Sequence, residues 1–224
     1  MLLTIDGSYG EGGGQILRSS LTLSALAGKP VRLINVRAGR SKPGLRPQHV
    51  TAIRALATIS GATVEGDALG SQTLTFQPGE KARPGDYTFD VADAAPGGSA
   101  GSVTLILQSI LLPLALASGP SRVTLRGGTN VPGSPPDLYI EQVYLPMMGK
   151  MGVRAEIAVR RRGFYPRGGG ELIVQIPGDA SLQPLDLMEP GALQKVRGDA
   201  FVSDLPSHIP QRMTNRARGL LNQQ

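Results

Sequence analysis

The 224-residue sequence contains no cysteine and no tryptophan, and only two histidines, His49 and His208. Without cysteine there can be no disulfide and no cysteine-ligated metal, and two histidines are too few for a histidine-rich zinc site. A hard cation bound by carboxylates and phosphates stays compatible with this composition. Aromatic residues make up only 4%, which argues against a base-stacking platform and favours recognition through phosphates.

The sequence also lacks the features of a signal peptide or of a membrane-spanning helix. Its N-terminus has neither a basic segment nor the long apolar run of a signal peptide. Residues 103–117 are apolar, but the run is short for a membrane span and Gln108 interrupts it. We expect a buried helix there, no membrane partner, and a soluble cytoplasmic protein.

The composition is otherwise that of a folded, basic protein. Hydrophobic residues account for 40% and charged residues for 18%, enough for a sizeable core and too few charges for wholesale disorder. The net charge is +6 and the pI is near 10.0. A basic surface favours polyanions such as RNA or nucleotides, although an ordinary basic surface would look the same.

The sequence repeats itself with an offset of 89 residues. Arg37-Ala38-Gly39, then Pro43-Gly44 and Pro47, recur with identical internal spacing as Arg126-Gly127-Gly128, Pro132-Gly133 and Pro136. A strand-like apolar run precedes each copy, an amphipathic helix follows each copy, and Gly61 and Gly152 are expected to end those helices. A fixed period indicates a repeated structural unit.

Each unit is predicted to contain a strand, a helix, a strand, a helix and two short strands. The fold class is therefore α/β (α+β), with tandem βαβαββ units whose helices pack on one face of each sheet. The units span about 1–80 and 85–178, which together form one large domain. Residues 179–224 lose this pattern and end in a polar helix, and we interpret them as the incomplete beginning of an inserted small domain.

The first candidate site is GSYGEGGGQILR, residues 7–18, which has five glycines in eight residues between a strand and an apolar helix. Glycines allow backbone N–H groups to approach an anion, and a helix N-terminus favours negative charge. Glu11 could hold a metal ion beside phosphates, and Arg18 could face the same pocket. A tight strand-to-helix turn without a ligand is an equally good interpretation of the pattern alone.

Two further motifs are basic. Residues 37–49, RAGRSKPGLRPQH, place four cations within ten residues on a loop stiffened by proline and glycine, which favours phosphate binding over a solvated loop. Residues 160–170, RRRGFYPRGGG, connect two strands; their glycines are expected to be structural, and their arginines either contact an RNA backbone or are simply exposed. For His49 a capping or packing role is favoured over a catalytic one.

These motifs together resemble the signatures of the RNA 3′-terminal phosphate cyclase family over nearly the whole chain. The resembling segments are residues 10–18, 37–45 and 163–170, and residues 204–209, DLPSHI, are similar to the start of the small domain inserted in that family. The resemblance implies a fold of repeated units similar to the C-terminal domain of a bacterial translation initiation factor.

The resemblance also implies an enzyme of the ligase class with ATP and a divalent cation, Mg or Mn, as cofactors. A histidine attacks the α-phosphorus of ATP, the adenylyl group passes to an RNA 3′-terminal phosphate, and the 2′-hydroxyl closes a 2′,3′-cyclic phosphate. Glu11 is the implied metal-linked carboxylate. The implied nucleotide-binding residues are Gln15, Arg18, Arg37, Arg40, Gln108 and Pro132.

The sequence departs from the family pattern in two ways. The nucleophilic histidine of the family is expected beyond Gln224, so no catalytic residue is assigned here and we expect this chain to be an inactive fragment. The family often has an aspartate two residues beyond the position of Pro136, where this sequence has Leu138 and places Asp137 one step early. That puts one wall of the nucleotide pocket in doubt.

Two alternatives stay open. One is a non-catalytic, cyclase-like RNA-binding protein of ribosome assembly, although Glu11, Arg40 and the intact glycine motif favour the enzyme. The other is an enolpyruvyl transferase, which shares the repeated architecture but lacks these signatures. The sequence indicates neither the oligomeric state nor the physiological RNA.

Overall fold

The computed structural model describes residues 1–95, 98–189 and 191–222. The chain divides into two compact units, Met1–Leu185 and Asp186–Gln224. The first unit contains two four-stranded sheets and most of the helices. Among the described residues, no helix has both the length and the apolar character needed to cross a membrane.

The first repeat is built on one mixed sheet with strand order β1-β2-β4-β3, in which β1 and β2 are parallel and β4 runs antiparallel to both β2 and β3. Its elements in chain order are β1 (Leu3–Asp6), α1 (Gly14–Ala27), β2 (Val31–Ile34), α2 (Pro47–Ser60), β3 (Thr63–Glu65) and β4 (Leu74–Gln77).

The second repeat has the same topology, with strand order β5-β6-β8-β7 and one parallel pair, β5 with β6. Its elements are β5 (Asp86–Asp90), a short 3₁₀ turn (Val91–Ala94), α3 (Val103–Ala115), β6 (Ser121–Gly127), α4 (Asp137–Tyr139), a π-helical segment (Ile140–Tyr144), α5 (Leu145–Lys150), β7 (Glu156–Arg161) and β8 (Gly170–Ile176). The predicted α/β fold class with βαβαββ units is confirmed.

Alternation along the strands decides which face of each sheet is covered. In β2, Val31 and Leu33 are buried while Arg32 is exposed, and in β4 Leu74 and Phe76 are buried while Gln77 is exposed. Because successive side chains of a strand point to opposite faces, one face of the sheet carries the apolar residues. The helices α1, α2 and α3 pack against one another, and one cluster of buried apolar residues runs through both repeats.

The two glycines predicted to end helices lie at the C-terminal ends of helices. Gly61 is the C-cap of α2, with φ 62° and its N–H donated to the Ala57 carbonyl. Gly152 lies two residues beyond α5 with φ 90°. The predicted buried helix over 103–117 is α3, which Ser102 begins by accepting the Leu105 N–H at 3.3 Å.

The last residues of the first unit, which follow β8, are hydrogen-bonded to other parts of that unit. Asp179 and Ala180 donate backbone N–H groups to the carbonyls of Ala117 and Ala115, and Gln183 donates to Met151. In the second unit, α6 (His208–Leu221) carries the arginines of the predicted polar helix and none of its residues is buried. The end of that predicted helix, Gln223 and Gln224, lies outside the described residues. The assignment of residues 179–224 to an inserted small domain stays a prediction.

Candidate functional site

The glycine-rich loop, residues 7–14, leaves β1 and enters α1 through two left-handed glycines. Gly10 and Gly12 both have φ 59°. The Asp6 carboxylate accepts the Ser8 N–H at 2.9 Å and the Ser8 hydroxyl at 2.7 Å, which closes a tight turn and holds the pKa of Asp6 below its usual value. The loop therefore has a defined path from the end of β1 to the N-terminus of α1, and it carries the exposed Glu11.

Glu11 is joined to the basic loop, residues 37–46, by an ion pair. The Glu11 carboxylate accepts a hydrogen bond from the Arg40 guanidinium, and its side chain is 84% exposed. The same guanidinium lies 2.9 Å from the point that a Cβ on Gly13 would occupy. The pair brings the first two motifs of the sequence together.

Arg18 is a buried cation one turn into α1. Its relative exposure is 8%, and its Nε has no hydrogen-bond partner among the described residues. One guanidinium nitrogen donates to the Gln15 side-chain oxygen at 2.9 Å. Burial lowers the pKa of Arg18 to about 10, because a charged group loses hydration in the protein interior. A buried donor without a protein partner is costly, so this Nε is a position where a bound molecule would be stabilised.

A cleft of about 220 Å³ lies between α1 and α3 beside Arg18. Its lining residues are Gln15, Arg18, Ser19, Thr22, Leu23, Gln108 and Ser109. Three of the residues predicted for nucleotide binding, Gln15, Arg18 and Gln108, therefore meet in one place although they come from different repeats.

One edge of the cleft is shaped by a proline inside α3. Pro113 has no N–H, so the Ser109 carbonyl four residues earlier lacks its usual helical donor. The Thr22 hydroxyl of α1 donates to that carbonyl at 2.9 Å. The missing helical bond is thus replaced by a bond that joins the two helices.

Arg37 uses its side chain to shape the basic loop. One guanidinium nitrogen donates to the carbonyls of Lys42 and Gly44, at 2.8 and 2.7 Å. Burial, and then the charges of Arg40 and Arg46, lower its pKa. Arg37 thus stabilises the loop that contains Arg40. Only its other guanidinium nitrogens would be available to an anion.

His49 lies beneath both loops and is 3% exposed. Its Nδ1 accepts the Arg46 N–H at 3.0 Å, and its own backbone N–H donates to the Arg46 carbonyl at 2.8 Å, so the ring caps the start of α2. Burial first, and then the charges of Arg37, Arg18 and Arg46, lower its pKa to about 3. The imidazole is therefore neutral at physiological pH, and the capping role favoured by the sequence is confirmed.

The arginine hairpin, residues 160–170, connects β7 and β8 as predicted. Its backbone is anchored because the Gly163 carbonyl accepts the N–H groups of Thr129 and Asn130, and the Gly163 N–H donates to the Thr129 hydroxyl. Arg162 donates to the fully buried Asp137 at 2.8 Å. Asp137 is thereby engaged with the hairpin, at the position where the sequence departs from the resembled pattern.

A family model described as RNA 3′-terminal phosphate cyclase matches residues 9–213. The chain belongs to this family. The matched range contains Glu11, Arg18, the basic loop and the arginine hairpin, which are the features just described.

Curated members of the cyclase family are similar to nearly the entire chain. An RNA 3′-terminal phosphate cyclase of Gloeothece citriformis is 58% identical over 222 residues, which are 99% of this chain and 63% of that protein. One from Nostoc punctiforme is 56% identical over 222 residues, 99% of this chain and 64% of its own. One from Sulfurisphaera tokodaii is 48% identical over 221 residues, 98% and 62% of the two chains. The chain thus spans less than two thirds of the length of these cyclases.

The structure separates the residues predicted from the cyclase resemblance into groups. Gln15, Arg18 and Gln108 share the cleft, whereas Glu11 and Arg40 form an ion pair between the glycine-rich loop and the basic loop and do not line it. Pro132 lies on the exposed turn after β6 and is not among the residues that line the cleft. The nucleotide-binding role of each of these residues stays a prediction.

Sequence reasoning predicted the capping role of His49 but missed that its ring lies next to Gly14 of the glycine-rich loop, and it missed the bond made by Thr22. The sequence holds a signal for each: His49 is the third residue of a helix that begins with Pro47, and Pro113 predicts an unpaired carbonyl at Ser109. Neither signal identifies the partner, which depends on how α1 lies against α2 and α3.

Proposed function

We propose that this chain carries the nucleotide-phosphate site of an RNA 3′-terminal phosphate cyclase, a ligase that forms a phosphoric ester bond. In the whole reaction, a histidine displaces pyrophosphate from ATP, the adenylyl group is transferred to the RNA 3′-phosphate, and the 2′-hydroxyl then attacks that phosphate and releases AMP. Each step moves negative charge between phosphates, so the protein must supply positive charge and N–H donors at fixed positions.

The observation that supports this most directly is the buried guanidinium of Arg18 with its unpartnered Nε. It lies at the start of a helix that follows a glycine-rich loop, and helix N-termini bind phosphate groups. Arginine is suited to this task because its fork of N–H groups matches phosphate oxygens. Gln15 and Gln108 extend the polar lining along the cleft, where the rest of a nucleotide would lie.

The donor set also fits a divalent cation that is held partly by substrate. No group of three or more acidic, cysteine or histidine side chains able to hold a metal occurs among the described residues. Glu11 therefore offers one carboxylate, and phosphate oxygens and water would provide the remaining ligands, as is usual for Mg²⁺. A divalent cation bound there would neutralise phosphate charge. If that cation took the place of Arg40 on the Glu11 carboxylate, the Arg40 guanidinium could turn towards the phosphates.

Neither histidine of this sequence is placed as the nucleophile that the reaction needs. His49 is buried and its Nδ1 already accepts a backbone N–H, and the family resemblance gives His208 no catalytic role. We therefore expect the 224-residue protein to bind ATP without adenylylating itself. Acid-labile labelling of the purified protein by α-labelled ATP would contradict this.

The experiment that tests the proposed function measures ATP binding and RNA end conversion separately. Calorimetry with ATP and Mg²⁺ tests the site directly, with Arg18→Met as the variant expected to lose binding. Incubation of a 3′-phosphorylated oligonucleotide with ATP tests turnover, and resistance of the 3′ end to phosphatase reports cyclisation. ATP binding without turnover supports the site and favours a binding protein for this chain, whereas absence of ATP binding refutes the proposal.

A further inference from the structure

The point where the glycine-rich loop, α1 and α2 meet is occupied by the imidazole of His49. A Cβ on Gly14 would overlap His49 Nε2 and would lie 3.0 Å from a terminal nitrogen of Arg18. The two side chains therefore converge on one point beside the first residue of α1. Gly14 has no side chain there, and this allows the imidazole and the guanidinium to approach the helix backbone.

The tautomer of the imidazole follows from its hydrogen bond. Nδ1 accepts the Arg46 N–H at 3.0 Å, so in a neutral ring the proton is on Nε2. The edge facing Gly14 and Arg18 is thus an uncharged N–H donor. A protonated ring would add a further positive charge to a cluster that already contains Arg18, Arg37 and Arg46, and the burial of His49 opposes that charge as well.

We infer that His49 is a positioning residue: its uncharged ring fills the space left by the absent Gly14 side chain, next to the Arg18 guanidinium, and so fixes the start of α1 for an anion. Through Nδ1 the same ring holds the end of the basic loop at Arg46. One side chain thus fixes the distance between the two loops that carry positive charge and N–H donors. The inference rests on the proposed function, because it concerns the anion-binding role proposed there for Arg18, which lines the cleft.

The two ring nitrogens can be tested separately. His49→Asn keeps an acceptor near Nδ1, and so keeps the cap on α2, but removes the edge that faces Gly14. His49→Gln places an amide near the Nε2 position and loses the cap acceptor. The exposed Arg54→Gln, on the same helix and paired only with Asp67 in the described ion pairs, is the matched control.

Binding of inorganic tripolyphosphate and of ATP to the 224-residue protein is measured by calorimetry, and thermal unfolding is measured on the same samples. For His49→Asn we expect a loss of affinity of about tenfold, or about 1.4 kcal/mol, because the start of α1 and the Arg18 guanidinium are no longer held in place, with an unfolding midpoint close to that of the parent. His49→Gln should keep more of the affinity and lose more of the thermal stability. If affinity merely follows the unfolding midpoint in both variants, His49 is only structural and the inference is wrong.

Nitrogen NMR of the imidazoles gives a readout that does not depend on a ligand. With His208→Asn removing the second histidine signal, His49 should show the neutral ring protonated on Nε2 from pH 8 to pH 5. A proton on Nδ1, or a charged ring in that range, overturns the inference. If the parent protein binds neither tripolyphosphate nor ATP, the proposed function fails and the inference fails with it. Parent binding with unchanged affinity in His49→Asn refutes the inference alone.

Discussion

At the scale of single residues, the site contains a buried positive charge, that of Arg18, which does not favour folding. Burying a guanidinium costs free energy unless its donors are paired, and Arg18 is buried with one donor unpartnered in the described structure. Functional sites are where such arrangements collect, because a ligand can supply the missing partner. Stability and binding should therefore respond in opposite directions when this residue is changed.

Replacing Arg18 with methionine keeps most of the side-chain volume and removes the charge. We expect the free energy of unfolding of the ligand-free protein to stay the same or to rise, by up to about 1 kcal/mol, because an unpaired buried donor is removed. ATP affinity should fall by more than tenfold, or about 1.4 kcal/mol. Chemical denaturation and calorimetry check the two effects, and a loss of stability above about 2 kcal/mol would contradict the argument.

The lowered pKa of His49 predicts that the stability of the protein depends on pH. This pKa is lowered to about 3 in the folded protein, whereas an unfolded histidine has a pKa of about 6.5. Between these values the unfolded chain binds a proton that the folded chain does not, so stability falls as the pH falls. From pH 6.5 to 5 the protein should lose about 2 kcal/mol of unfolding free energy, given about 1.36 kcal/mol per pH unit.

Urea denaturation at several pH values measures this loss. His49→Asn should remove the dependence between pH 6.5 and 5, whereas His208→Asn should leave it in place, because His208 is exposed. An equal pH dependence in the parent and in His49→Asn would show that another group is responsible.

At the scale of elements, α1 and α3 are joined by a bond that depends on a helix defect. The Ser109 carbonyl accepts the Thr22 hydroxyl because Pro113 cannot supply the helical N–H. Both Thr22 and Ser109 line the cleft. The relative position of the two helices, and with it the width of the cleft, is thus coupled to one proline.

A double-mutant cycle tests this coupling. Thr22→Val keeps the shape of the side chain and leaves the Ser109 carbonyl without its partner, so it should cost about 1 kcal/mol or more. In a Pro113→Ala background the alanine N–H can bond to that carbonyl, and Thr22→Val should then cost clearly less. Equal costs in both backgrounds, measured by denaturation, would mean that the Thr22 bond is independent of Pro113.

Much of the element pattern could be predicted because hydrophobic periodicity and glycine or proline positions are local signals. The offset of 89 residues predicted two units, and the structure has two sheets of the same strand order. The 3₁₀ turn Val91–Ala94 and the π-helical segment Ile140–Tyr144 were not predicted. Both depend on local hydrogen-bond geometry that several sequences could satisfy.

The site was less accessible from the sequence than the fold. Resemblance selected Gln15, Arg18 and Gln108, but only the packing of α1 against α3 brings these residues into one cleft. The density of cations in the basic loop favoured phosphate binding by the loop, and the resemblance selected Arg37 and Arg40 alike. The structure distinguishes them, because Arg37 bonds to loop carbonyls while Arg40 bonds to Glu11. Long-range contacts of this kind carry no local sequence signal.

At the scale of the whole molecule, the RNA binding proposed here would depend either on specific arginines or on the general field of a chain with net charge +6. A uniform field attracts any polyanion and responds to the total charge alone. A defined path responds to particular residues. The arginine hairpin is the place to distinguish these, because its backbone is anchored at Gly163 while Arg160 and Arg167 are exposed.

Lys29 offers a control of equal charge. It is exposed just beyond the C-terminal end of α1, and a helix of 14 residues places it roughly 21 Å from the glycine-rich loop, at about 1.5 Å per residue. Arg160→Gln, Arg167→Gln and Lys29→Gln each lower the net charge by one. The field alone would make the three variants bind a 3′-phosphorylated single strand equally well.

We expect the hairpin variants to differ from the lysine variant in the salt dependence of binding. Removing an arginine that touches one phosphate of a single strand should reduce the slope of log affinity against log salt by about 0.7. Titrations monitored by fluorescence anisotropy at several salt concentrations measure this slope. A reduced slope in Arg160→Gln or Arg167→Gln, with an unchanged slope in Lys29→Gln, would place the RNA backbone on the hairpin. Equal slopes in all three would assign binding to the overall charge, because no single arginine would then be in contact with a phosphate.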